Sequence, residues 1–277
     1  MHPQLTRTLR LLGLLESGRR AEVRLRMRQR RALPDTVIIG AQKCGTSSLQ
    51  GYLTQHPQVV TPLRKEVHYF DVHYARGERW YRAHFGRVGE PGLNLDASPY
   101  YLFHPLAAER MHALLPRAKL IVLLRDPVRR AYSQYWQQRD RNREPLDFEM
   151  ALDAEPDRVE SVHQRLARGE IAASREHQIY SYLARGRYAE QLERWLALYP
   201  REQLLVLRFE DLVKQPLDVL NRTLGWLGLP PMADAKLEPR NTRNYPPMKP
   251  ETAERLKAYF EPWNRRLEAL IGEPMGW

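Results

Sequence analysis

Three short stretches of this chain set charged and hydroxyl side chains at spacings suited to anion binding and proton transfer. In GAQKCGTSS, Gly40 to Ser48, Lys43 stands two residues before Gly45, and Thr46, Ser47 and Ser48 follow. A lysine there supplies a mobile positive charge, glycine lets an anion approach the main chain, and the hydroxyls add donors. The ligand such a loop takes is a polyanion. In KEVHYFD, Lys65 to Asp71, Glu66 and His68 are two residues apart, so in an extended segment they share one face. A carboxylate beside an imidazole can deprotonate an acceptor hydroxyl. In RDPVRRAYS, Arg125 to Ser133, a planar guanidinium and a short hydroxyl offer a second anion site.

These residues need elements to hold them. The β-branched run Thr36 to Ile39 predicts a strand, and Leu49, Tyr52 and Leu53 predict a helix beginning near Thr46. The helix would aim its free N–H groups and positive dipole end back at the loop. Leu120 to Leu124 is a continuous apolar run, as expected for a strand buried on both faces of a parallel sheet. Asp126 then caps a helix with Pro127 at its first position, running toward Arg139. Ser133, two turns beyond the cap, comes back to the strand end where Arg125 emerges. Further strands are expected at Leu93 to Ser98 and Leu204 to Phe209, with helices at Pro216 to Leu227 and Glu251 to Ile271. Trp80, Tyr81, Phe85, Tyr188, Leu192 and Trp195 read as core, and Glu144 to Glu176 as a peripheral helical insert shaping an acceptor cleft. The alternation of strand and helix predicts an α/β fold around a parallel sheet.

The first loop does not follow the nucleoside triphosphatase pattern GxxxxGK[ST], because Lys43 precedes the second glycine. It resembles the 5′-phosphosulfate loop of the sulfotransferases that use 3′-phosphoadenosine 5′-phosphosulfate (PAPS), especially the heparan sulfate branch. KEVHYFD resembles the Glu-x-His-aromatic-Phe-Asp signature of the glycan sulfotransferases, and RDPVRRAYS the family's 3′-phosphate motif. The resemblance runs from about Thr36 to the C-terminus and implies a three-layer, P-loop-like α/β fold. It implies that Glu66 is the general base with His68 beside it, and that Lys43 stabilises the departing nucleotide. Lys43, Cys44, Gly45, Thr46, Ser47 and Ser48 would hold the 5′-phosphosulfate, and Arg125 and Ser133 the 3′-phosphate. Arg243, in the basic loop before Tyr245-Pro246, would close over the nucleotide. No metal is implied. Two departures concern the acceptor and this loop: Asp96 is followed by Ala97 where the heparan sulfate branch carries a lysine, and the loop has neither cysteine nor lysine.

Composition bounds the rest. A chain of 277 residues with 43% hydrophobic content builds one good core, and a formal charge of +11 favours anionic partners. Cys44 is the single cysteine, which excludes an intrachain disulfide and a cysteine-rich metal site. Residues 1–33 are expected to form a basic arm, with Leu5, Leu9, Leu12 and Leu15 at amphipathic-helix spacing among arginines, and residues 34–277 the sulfotransferase domain. The arm is too charged for a signal peptide or a membrane span, so a cytoplasmic protein touching an anionic membrane peripherally is expected. The acceptor is open among glycan, lipid and small metabolite, and nucleic acid is not expected. Two other classes remain at this point: a P-loop kinase or nucleoside triphosphatase, and a basic membrane- or nucleic-acid-binding module.

Overall fold

The computed structural model describes residues 16–25, 27, 30–238 and 244–277. Residues 16–25 form helix α1. Strand β1 (Thr36–Gly40), helix α2 (Thr46–Leu53), the short strand β2 (Val59–Val60), helix α3 (Gly77–Arg82) and strand β3 (Leu93–Ala97) make the first half of the sheet. Helix α4 (Ala107–Leu114), strand β4 (Lys119–Leu124) and helix α5 (Pro127–Arg139) follow. Helices α6 (Phe148–Asp153), α7 (Glu155–Ala167), α8 (Arg175–Ile179) and α9 (Tyr188–Leu196) lead to strand β5 (Leu204–Arg208). Helices α10 (Phe209–Lys214), α11 (Pro216–Leu227) and α12 (Pro250–Ile271) complete the chain.

The five strands lie in the order β2-β3-β1-β4-β5, and every pairing is parallel. Val37 stands opposite Asp96 on one side and Leu120 on the other. All of β1 and nearly all of β4 are buried, as their unbroken apolar runs require of strands covered on both faces. From β1 the chain turns first toward β3 and later toward β4. The carboxyl ends of β1 and β4 therefore flank the switch point where open α/β sheets bind ligands.

The main core lies between the sheet and its helices and includes Trp80, Tyr81, Phe85, Leu192 and Trp195. A second cluster joins Val128, Tyr132 and Tyr135 of α5 to Phe148 and Leu152 of α6 and Phe260 of α12. The expected peripheral insert is thus built into the body. Glu144 and Glu155 are buried within it, Glu144 accepting from Arg158 at 2.9 Å and from the Tyr182 hydroxyl at 2.8 Å. Its acidic composition hid this, because the carboxylates that looked solvated serve as internal acceptors. The first residues of the basic arm and Arg243 lie outside the described residues.

Candidate active site

The loop from β1 to α2 is fixed at both ends. Ala41 N–H donates to the Leu123 carbonyl of β4 at 2.8 Å, and Gly45 caps α2 with φ 83°. A side chain at Gly45 would strain that left-handed backbone, and its Cβ would stand 2.9 Å from Phe209. Ser48 N–H is the first helical amide to turn back, to the Gly45 carbonyl at 2.9 Å. The amides of Thr46 and Ser47, ahead of it, have no carbonyl within the helix to reach. Lys43 also adopts a left-handed backbone, φ 72°. The thiol of Cys44 packs inside, 3.7 Å from the Tyr188 hydroxyl, and burial pushes it up to about 11. Only the main chain of Cys44 can serve the cradle, and its amide donates to the Ala41 carbonyl at 3.3 Å.

Arg125 follows the last residue of β4 and reaches this loop. Its guanidinium donates to the Lys43 carbonyl at 3.3 Å and lies over the Phe209 ring at 4.6 Å. Two carboxylates pair with other arginines, Asp126 with Arg129 and Glu144 with Arg158. Asp126 caps α5 by accepting from Val128 N–H at 2.9 Å, with Pro127 in the first turn. Ser133 sits in the second turn of that helix, 5% exposed.

Glu66 and His68 do converge, though not by strand alternation. The segment is a coil in which both residues take φ 57°, a left-handed backbone unusual for either. His68 Nε2 lies 3.2 Å from Glu66 Oε2 and His68 Nδ1 2.8 Å from Asp71 Oδ2. Side-chain exposure falls from 43% at Glu66 through 22% at His68 to 0% at Asp71, a triad running from solvent into the core. Burial works to lower the imidazole, but the charge and hydrogen bond of Asp71, then those of Glu66, raise it to about 10. Burial likewise works to raise Glu66, yet the His68 hydrogen bond and charge, then Lys65 and Arg141, hold it below its ordinary value. At neutral pH the pair is imidazolium and carboxylate, so Glu66 is free of its proton and His68 is not.

What holds this coil is Asp96. Its fully buried carboxylate accepts from the hydroxyls of Tyr81 at 2.9 Å and of Tyr101 and Ser98 at 3.2 Å. Two of those hydroxyls in turn accept main-chain donors from the coil: Ser98 from His68 N–H at 3.2 Å and Tyr101 from Tyr69 N–H at 2.8 Å. The triad is also tied to the cradle, because the Lys65 ammonium donates to the Ser47 hydroxyl.

Sequence reasoning missed three contributors. Asp71 stood within the quoted signature without a role. Asp96 was noted only for the alanine that follows it. Arg185, from the turn before α9, had no local signal: it is buried against the rings of Tyr100 and Phe103 and donates to Gln42 Oε1 in the cradle loop. The carbonyls of Gln178 and His177 take its other terminal nitrogen, at 3.0 and 3.4 Å.

An α/β sheet with the amides opening α2 at its switch point, a guanidinium on that loop and an acid–imidazole pair beside it has the layout of a P-loop-like domain. The profile of the Sulfotransferase domain family matches residues 33–265, and the chain belongs to that family. It is 29% identical to the membrane-associated sulfotransferase kil1 of Dictyostelium discoideum, over 88% of this chain and 66% of that protein, about two thirds of the relative's length. It is 28% identical to heparan sulfate glucosamine 3-O-sulfotransferase 6 of Homo sapiens, over 90% of this chain and 75% of that one. Among solved structures it resembles a sulfotransferase of Alicyclobacillus acidocaldarius, with a TM-score of 0.73 and 33% identity, covering 87% of this chain and 97% of that one.

Proposed function

We propose that the protein transfers a sulfuryl group from PAPS to a hydroxyl or amine of a polar acceptor. One observation carries this reading: segments far apart in sequence meet at one loop. Arg125 donates to the Lys43 carbonyl and Lys65 to Ser47, which gathers a second cation and the Glu66 triad around the amides that open α2. Lys43 and the main chain of Gly45 to Ser48 would hold the 5′-phosphosulfate, and Arg125 with Ser133 the 3′-phosphate. Arg125, already on the Lys43 carbonyl, fits that group because its planar fork of donors matches a phosphate.

Glu66 then accepts the proton of the acceptor as its oxygen or nitrogen bonds to sulfur and the bond from sulfur to the nucleotide's bridging oxygen breaks. The ammonium of Lys43 offsets the charge left on that oxygen. His68, kept as imidazolium by Asp71, holds Glu66 ionised and oriented. The cations acting on Glu66 include Lys65 and Arg141, and Arg64 lies close enough to be influenced by it. This electropositive surround favours an anionic acceptor, and a glycan acceptor is supported by the likeness to the heparan sulfate enzymes. The domain is proposed to begin near residue 34, with the basic arm before it in peripheral contact with an anionic membrane. No helix among the described residues is long and apolar enough to cross one.

The test is transfer of labelled sulfate from PAPS to a panel of acidic glycans, polar lipids and small hydroxylated acceptors, with and without EDTA. Labelled product that survives EDTA and is lost in Lys43→Ala supports the proposal. Hydrolysis of ATP with no transfer from PAPS to any acceptor would overturn it.

A further inference from the structure

A second basic site lies away from the cradle, between α1 and α3. A cavity of about 700 Å³ opens there, lined by Arg24, Arg30, Arg31, Arg79 and Arg82 against the single carboxylate of Glu78. The arginines are held by the fold. Arg24 donates to the carbonyls of Phe85 at 3.2 Å and Ala83 at 3.3 Å, Arg79 to that of Leu25 at 3.2 Å, and Arg82 to that of Arg31 at 2.9 Å. Arg82 also pairs with Glu78, and the five lining arginines outnumber the one lining carboxylate. Burial, and next the charge of Arg31, lowers Arg24 from its ordinary value, with Glu90 acting the other way.

Apolar side chains stand among these charges. Val23, Met27 and Val88 are 58%, 43% and 59% exposed, three of the seven large apolar side chains exposed among the described residues. Met27 and Val88 line the same cavity. Its position is also fixed. Arg31 pairs antiparallel with Arg87, Ala32 N–H donates to the Gly86 carbonyl at 3.0 Å, and Asp35 N–H to the Asn94 carbonyl at 2.9 Å. These segments enter β1 and β3 at their amino ends, so the cavity is at the opposite end of the sheet from the cradle.

We infer that this cavity and its apolar rim seat the protein on an anionic bilayer, the arginines taking the phosphate of an acidic phospholipid headgroup while Met27, Val88 and Val23 dip below it. The pairing of clustered arginines with protruding aliphatic tips suits a bilayer interface, where charge and hydrocarbon lie within a few ångströms of each other. A nucleic-acid backbone would use the charges and leave the aliphatic tips in water. Docked this way, the cradle end of the sheet faces away from the lipid. The cavity lies partly within residues 1–33, so the inference deepens the membrane contact proposed for them, and it does not depend on the sulfuryl-transfer reading.

Flotation of the full chain with vesicles of neutral phosphatidylcholine, and of phosphatidylcholine with phosphatidylserine, tests it. The wild type is expected to float with the anionic vesicles, and high salt to release it. Arg30→Glu/Arg79→Glu is expected to weaken that binding about tenfold or more, and the uncharged Met27→Ser/Val88→Ser to weaken it with little change in salt sensitivity. Both variants should remain folded by circular dichroism and keep the wild-type affinity for 3′-phosphoadenosine 5′-phosphate (PAP), which separates this site from the cradle. Wild-type binding by both folded variants would place any membrane contact outside this cavity and overturn the inference. So would binding of the wild type to a DNA duplex but not to anionic vesicles.

Discussion

At the scale of single residues the account turns on which group can take a proton at neutral pH. The imidazole of His68 cannot, because Asp71 and Glu66 raise it to about 10. Glu66 can, because the same imidazolium holds it ionised. Glu66→Gln is expected to lower kcat by about 100- to 10,000-fold and to leave PAP affinity unchanged by calorimetry; loss of PAP binding as well would move Glu66 from proton transfer to donor binding. The acid limb of the pH profile of kcat should lie below the ordinary glutamate range. Asp71→Asn removes the first charge that raises His68, so the imidazolium that orients Glu66 is lost at a lower pH, and the alkaline limb of the kcat profile moves down. Stability follows the same residue. A histidine raised from 6.5 to about 10 stabilises the fold fully below pH 6.5, and its contribution is lost as pH rises through about 10. Thermal melts of Asp71→Asn and wild type should therefore differ most near pH 6 and converge above pH 10.

At the scale of elements, the geometry of the site depends on how a coil and a loop are braced against strands. The left-handed backbones of Glu66 and His68 cost energy that the surrounding bonds must offset, and the Asp96 hydroxyl relay supplies those bonds. In Asp96→Asn an amide donor faces hydroxyls that already need an acceptor. The expected result is a loss of about 1 to 3 kcal/mol of stability, read from denaturant melts, and a fall in kcat larger than the fall in PAP affinity. Gly45→Ala puts a Cβ 2.9 Å from Phe209 on a backbone at φ +83°, so PAP binding and stability should fall together.

The legibility of the sequence follows the same division. β1, β4 and α5 could be read because their signals are local: an apolar run, an Asp cap, a proline in the first turn. The convergence of Glu66 and His68 was read for the wrong reason, since extended alternation gave way to two left-handed residues bound by a buried aspartate. Arg185 could not be read at all, because its hydrogen bond to Gln42 joins residues 143 apart and leaves no periodic trace.

At the scale of the whole molecule, the parallel order β2-β3-β1-β4-β5 places the cradle and Arg125 on adjacent strand ends, and the switch point between them is the reason the two anion motifs meet. Their roughly 80 residues of separation are what one half of such a sheet occupies. The central claim is that the cradle binds a 5′-phosphate and Arg125 separately recognises a 3′-phosphate. It is tested most directly by calorimetric titration, without Mg²⁺, of PAP and of adenosine 5′-phosphate into the wild type, Lys43→Ala and Arg125→Ala. The account predicts that PAP binds the wild type more tightly than adenosine 5′-phosphate. It predicts that Lys43→Ala weakens both, and that Arg125→Ala weakens PAP by about tenfold or more while sparing adenosine 5′-phosphate. Equal losses for both nucleotides in Arg125→Ala, or no preference for PAP in the wild type, would contradict it.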